Sequence, residues 1–192
     1  MQRRELLAAA TTVLAPLRAP AQVRGEAGWP AALLMSTAGP GGTYAVYGPV
    51  WGGLVARATG LPVSYRATQG PRENILLLDR GSVDLGMTTM GVARQAWEGV
   101  GEWTGGVRLR GFRALFPMYD TPFHGMARRG AGIVSLASLS GKRAGVGPRG
   151  GTAGLYVPAM LRLLGIGGVW VAFGTIADQV RMVAAGTLDA CV

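Results

Sequence analysis

The chain has 192 residues, 49% of them hydrophobic and 32 of them glycine. This supports a packed core of one or two domains and excludes a disordered chain, and without a G-X-Y period it excludes collagen. Its formal net charge of +9 comes from 19 Lys and Arg against 10 Asp and Glu, but the cations are scattered or paired (Arg3-Arg4, Arg128-Arg129, Lys142-Arg143) rather than drawn into the aromatic-interleaved stripe of a nucleic-acid surface. One cysteine, Cys191, and one histidine, His124, leave no internal disulfide, no Cys/His metal cluster and no histidine triad.

Residues 1–21 carry a basic start at Arg3-Arg4, an apolar run from Leu6 to Leu17, and Ala19-Pro20-Ala21. This is the layout of a secretory signal peptide cut before Gln22, and the paired arginines also admit twin-arginine export. The apolar run is too short to span a bilayer, and no later segment reaches the roughly eighteen apolar residues of a spanning helix.

From there the pattern alternates. Residues 31–36 read as a buried strand. Thr43–Thr59 has helical spacing (Tyr44, Tyr47, Trp51, Leu54, Val55) and is stopped by Gly60. A strand is expected at 62–67, a helix at 72–80, a strand at 83–87 and a helix at 91–99. A glycine-rich loop at 102–111 precedes a strand at 112–119. After a crossover come a strand at 123–128, one helical turn at 135–139, a strand at 143–147, a helix at 152–164, a strand at 168–173, a helix at 176–185 and a strand at 188–192. Such alternation predicts an α/β protein with mainly parallel sheets. The expected division is a signal peptide (1–21), a first lobe (22–121) and a second lobe (122–192).

One pattern occurs twice. "STAGPGGTYAVYG" (36–48) and "AGVGPRGGTAGLY" (144–156) both give Gly-Pro, Gly-Gly-Thr and a later Tyr, each between an expected strand and an expected helix. A helix start offers free N–H groups and partial positive charge, glycines admit a ligand to the backbone, and Thr can cap the helix and present its hydroxyl. Two such turns facing one another across a cleft would clamp a small anion. Enzymatic readings fare poorly. Gly145–Thr152 nearly fits G-x-x-x-x-G-K-[ST], but Gly151 stands where the phosphate-binding lysine is needed. No G-x-S-x-G elbow is present, and the nearest acid/base pair is Asp120 with His124.

Residues 35–89 and 132–154 resemble the TAXI family of extracytoplasmic solute receptors of TRAP transporters. The first segment carries the Gly-Gly-Thr-Tyr turn, Glu73 and Asn74 on the following helix, and Val83-Asp84-Leu85, with Pro71 in place of a serine. The second resembles a turn found in many periplasmic binding proteins, with Ser138 replacing an aspartate. The resemblance implies a two-lobed, Venus-flytrap receptor in the periplasm, not an enzyme. Such a monomer would carry no cofactor and no metal. It would bind no nucleic acid, capture a small organic anion (an amino acid such as glutamate, or a dicarboxylate) and deliver it to TRAP permease subunits. Carried onto this chain, Thr37, Gly42, Thr43, Tyr44, Gln69, Gly70, Thr88 and Thr89 would line the cleft from the first lobe. Gly150, Gly151, Thr152 and Ala153 would face them, with Tyr119 near the hinge. Family members return from the second lobe to finish the first, so the resemblance also implies a C-terminally truncated chain with an incomplete second lobe. The binding protein of an ATP-driven importer, a periplasmic sensor and a non-functional truncated receptor stay open as alternatives.

Overall fold

The computed structural model describes residues 28–192; the expected signal peptide lies outside them. Three short parallel strands, β1 (Leu33–Ser36), β2 (Val63–Arg66) and β3 (Leu85–Gly86), form a first sheet in the order β2-β1-β3. Its crossovers are α1 (Thr43–Thr59) and α2 (Pro71–Asp79), and α3 (Met90–Glu98) follows β3. A second sheet takes β4 (Met126–Ala127), β5 (Arg143–Gly145), β6 (Trp170–Ala172) and β7 (Ala190–Cys191) in the order β4-β7-β5-β6, with only β4 antiparallel. Here α4 (Thr152–Leu163) and α5 (Ile176–Ala184) make the crossovers. No ladder joins the two sheets. The architecture is the expected α/β one, built of parallel units in two lobes.

Each lobe closes on its own apolar cluster. In the first, Met35, Tyr44 and Met87 pack together beside a second group of Ile75, Val92 and Ala96. In the second, Leu139, Val146, Val157 and Leu161 surround Ala144 and Ala190. Hydrophobic burial of this kind drives the layers together. All five helices fall where their apolar spacing places them. Gly60 ends α1 at φ 76°, its N–H donating to the Ala56 carbonyl, a left-handed cap that glycine adopts without a Cβ clash.

Apolar burial does not satisfy the strand ends, where backbone groups emerge from the sheet. In the first lobe the carboxamide of Asn74, fully buried on α2, does so. Its Nδ2 donates to the carbonyls of Thr37 (2.8 Å) and Met87 (2.7 Å), which follow β1 and β3. Its Oδ1 lies 2.7 Å from the hydroxyl of Thr68, just past β2. Gln179 on α5 has the corresponding place in the second lobe. It is 2% exposed, accepts from the Gly147 N–H (2.8 Å) and donates to the Ala172 carbonyl (3.0 Å). The strand starts are held by carboxylates: Asp84 accepts from the Leu34 N–H (2.8 Å), and Asp189 from the Arg143 N–H (2.9 Å) while also pairing with its guanidinium.

Several strands are shorter than expected, and one is missing. Among the described residues, the strand expected at 112–119 forms no ladder, and no backbone–backbone hydrogen bond involves residues 112–125. Pro117 and Pro122 have no N–H to offer one. The apolar residues that suggested a strand pack instead on helices. Phe112 meets the Trp97 ring edge-on at 5.7 Å, Phe116 lies 5.2 Å from Trp51, and Tyr119 lies 5.1 Å from Tyr47. The strand expected at 123–128 contracts to Met126–Ala127, because only these residues reach β7.

Replacing Asn74 with leucine strips the Met87 carbonyl of its side-chain donor and leaves the Thr37 carbonyl only the Thr68 hydroxyl at 2.9 Å, while filling a similar volume. The expected loss, read from urea denaturation, is roughly 1–3 kcal/mol of unfolding free energy, the cost of leaving one buried acceptor without its donor. Asp189 supplies a pH test. Its hydrogen bonds from Arg143 hold the carboxyl below its ordinary range. A depressed folded-state pKa stabilises the fold above the unfolded value, so the contribution is lost as pH falls below about 4. In acid titrations followed by circular dichroism, Asp189→Asn should be less stable than wild type near neutrality, and the difference should shrink on acidification.

Candidate functional site

Between the lobes lies a cavity of about 790 Å³, within the range of small-molecule sites. Its first-lobe wall comes from Ala38–Tyr44 and Thr68–Pro71, the approaches to α1 and α2. The second-lobe wall comes from the approaches to α4 and α5, and the connection around Tyr119–Met126 runs along it. The parallel topology explains the convergence. Every crossover helix starts on the side where its preceding strand ends, so four helix starts open toward the same space.

The two glycine turns have the geometry that leaves backbone donors available. Gly42 and Gly151 are the N-cap residues of α1 and α4, both extended, and neither helix has a side-chain cap. Thr43 and Thr152 are each the first helical residue, so neither caps its helix as the sequence suggested. α5 differs: Thr175 caps it, accepting from the Asp178 N–H at 3.1 Å.

Of the sequence-derived site residues, Gly42, Thr43, Tyr44, Gln69, Gly70, Tyr119, Gly151, Thr152 and Ala153 line the cavity together. Four lie off it. Thr37 is buried at the end of β1, with its carbonyl held by Asn74. Thr88 sits with its hydroxyl 3.5 Å from the Pro71 carbonyl, and Thr89 is the N-cap residue of α3. Gly150 joins the lobes, accepting from the Arg72 N–H at 3.4 Å. Sequence reasoning passed over Arg149, Phe173, Thr175, Ile176 and Gln179, which all line the cavity. The Thr175-x-x-Asp178 cap was the available signal for the α5 start.

Arg149 is exposed, and its guanidinium carbon lies over the Phe173 ring, 4.1 Å from the centroid. Burial, and then the neighbouring Tyr119, push the Tyr44 phenol far above its ordinary range, and burial raises Tyr119 as well. Both phenols are therefore neutral near pH 7. Burial also raises the thiol of Cys191, which keeps it protonated and poorly nucleophilic. No hydrogen bond joins Asp120 and His124 among the described residues. Nor does any group of three or more His, Cys, Asp or Glu there come together to hold a metal ion.

The lobes touch beside the cavity at Gly70 and at Tyr156. Gly70 has φ 117° and ψ −154°, a conformation essentially restricted to glycine, and a Cβ there would stand 3.3 Å from the Gly150 carbonyl oxygen. Leu155 and Tyr156 of α4 pack against the Ile75–Val92–Ala96 cluster of the first lobe. Gly70→Val should therefore both strain the chain and wedge the lobes apart. The expected result is a stability loss of roughly 1–3 kcal/mol together with a larger radius of gyration by small-angle scattering. Strain alone would leave the radius unchanged.

Among solved structures, the chain is similar to two sulfonate-binding proteins. The alkanesulfonate-binding protein SsuA from Xanthomonas axonopodis pv. citri, bound to MOPS, is 16% identical, with a TM-score of 0.53 over 86% of this chain and 55% of that one. The periplasmic aliphatic sulphonate binding protein SsuA from Escherichia coli is 17% identical, with a TM-score of 0.46 over 85% of this chain and 54% of that one. The chain thus spans about half the length of each of these structures, and the likeness to the first, at 16% identity, concerns the fold alone. A model of the NMT1-like family matches residues 35–192, and the chain belongs to that family.

Proposed function

We propose that the protein is an extracytoplasmic solute receptor that captures a small organic anion between its lobes. The observation that carries this reading is the interlobe cavity, onto which the uncapped starts of α1 and α4 open beside the cation Arg149. Free N–H groups and partial positive charge favour an anion there, and the flanking lobes can close over it by hinge motion. The fold likeness to a sulfonate-binding protein supports a binding role over a catalytic one. So does the protonated thiol of Cys191. Periplasmic location rests on the signal-peptide layout of residues 1–21. Delivery to a TRAP-type permease rests on the motif resemblance at residues 35–89, and genes for TRAP membrane subunits beside this one are its test. An ATPase subunit there instead would assign the receptor to an ATP-driven importer.

Binding is tested by thermal denaturation across a panel of organic carboxylates and sulfonates. A ligand at a hundred times its Kd adds about 2.7 kcal/mol to the folded state, which for a chain of this size raises Tm by roughly 5–10 °C. A folded protein whose Tm moves with none of them would count against the receptor reading.

A further inference from the structure

The lobes meet in two places that differ in kind. At Gly70 the contact is thin: backbone stands against backbone, with a 3.4 Å hydrogen bond from the Arg72 N–H to the Gly150 carbonyl. At α4 the contact is apolar and interlocked. Val157 and Leu161 face the core of their own lobe, but Leu155 and Tyr156 reach out of it. They pack on Ile75, Val92 and Ala96, all fully buried in the first lobe. The phenol oxygen of Tyr156 lies against the α3 backbone at Gly91, where any Cβ would collide with it. The ring also meets Phe123 of the connection, with 6.4 Å between centroids and 66° between planes. The Tyr156 hydroxyl is buried without a hydrogen-bond partner among the described residues, so the ring carries the contact.

The crossing is particular to one copy of the glycine-turn unit. Tyr47 follows Gly42 at the spacing at which Tyr156 follows Gly151. Tyr47 packs on the Met35–Tyr44–Met87 cluster of its own lobe, whereas Tyr156 packs on a cluster of the other. Interdigitated apolar surface separates at a cost that grows with its area, while water replaces one long backbone hydrogen bond at little net cost. We propose that Tyr156, seated over Gly91, is the pin on which the lobes turn, and that they part on the Gly70–Gly150 side while the pin stays closed. The first residues of α4 line the cavity and the next turn carries the pin. A swing about Tyr156 therefore changes the width of the cavity without undocking the lobes. This pivot stands on contacts within the chain, whatever the cavity holds, and its test needs no ligand.

A Cβ on Gly150 would stand 3.2 Å from the Cβ of Gln69 across the interface, near the roughly 3.5–4.5 Å of a disulfide. In the full chain, Gln69→Cys with Gly150→Cys therefore reports how often that side is closed. The readout is the rate of disulfide formation under a fixed oxidant, with the bridged peptides identified by mass. The reduced protein should have a larger radius of gyration by small-angle scattering than the bridged one, because the bridge holds shut the side that parts. Adding Tyr156→Ala should slow bridging roughly tenfold and enlarge the reduced protein further. Tyr156→Phe should change neither. Gly91→Ala should slow bridging as Tyr156→Ala does, and should add nothing in the Tyr156→Ala background. Alanine suits a helix better than glycine, so a slower rate in Gly91→Ala does not come from a weakened α3. Equal radii before and after bridging would overturn the motion. Bridging untouched by both Tyr156→Ala and Gly91→Ala would overturn the pin, and a loss in Tyr156→Phe equal to that in Tyr156→Ala would overturn its apolar basis.

Discussion

The cavity depends on a problem that every parallel sheet has at its carboxyl edge: strands end together, and their last backbone groups must find partners away from water. Asn74 solves it for the first lobe. One buried carboxamide bonds to the carbonyls that follow β1 and β3 and to the hydroxyl that follows β2. Because Thr68 and Thr37 are held this way, Gln69 and Gly70 emerge at the cavity wall rather than collapsing into the core. Gln179 does the same for the second lobe and belongs to the wall itself. A buried polar group is expensive unless fully bonded. These two are bonded at both ends of the amide, so the strand ends are fixed in one arrangement.

The lobes use the same parts in the same order. Gly42-Thr43, Tyr47 and Pro49 on α1 recur as Gly151-Thr152, Tyr156 and Pro158 on α4, at the same spacing. Asn74, Gly81 and Asp84 recur as Gln179, Gly186 and Asp189, again at the same spacing. The matching tyrosines also meet the connection between the lobes, Tyr47 against Tyr119 and Tyr156 against Phe123. The repeated glycine turn is thus the most visible part of a longer repeat. Its two copies present their uncapped helix starts to the same space because the whole strand–helix unit is copied with them.

Helix positions were legible because apolar spacing and glycine stops are local signals. The glycine turns were legible as helix starts for the same reason. Strand lengths were not, since a ladder exists only where a partner reaches. Residues 112–119 have the apolar content of a strand, yet Phe112, Phe116 and Tyr119 find aromatic partners on α1 and α3. The site was legible in part. Gly42–Tyr44 and Gly151–Ala153 of the two glycine turns line the cavity, whereas Gly150 turns to the Arg72 N–H and Thr37, Thr88 and Thr89 are drawn beneath or beside it by sheet and helix bonding. Arg149 carries no motif. Its significance depends on which other side chains share the wall, and that is a three-dimensional fact.

The strand order of the second sheet constrains when that lobe can assemble. β7 lies between β4 and β5, so among the described residues β4 pairs only with residues 190–191. The three described strands of the first sheet are all made by Gly86. A chain made from its amino end can therefore pair β1, β2 and β3 while β5 and β6 still lack the strand that joins them to β4. In that interval the second lobe presents an open edge beside β5, where another chain's strand could add.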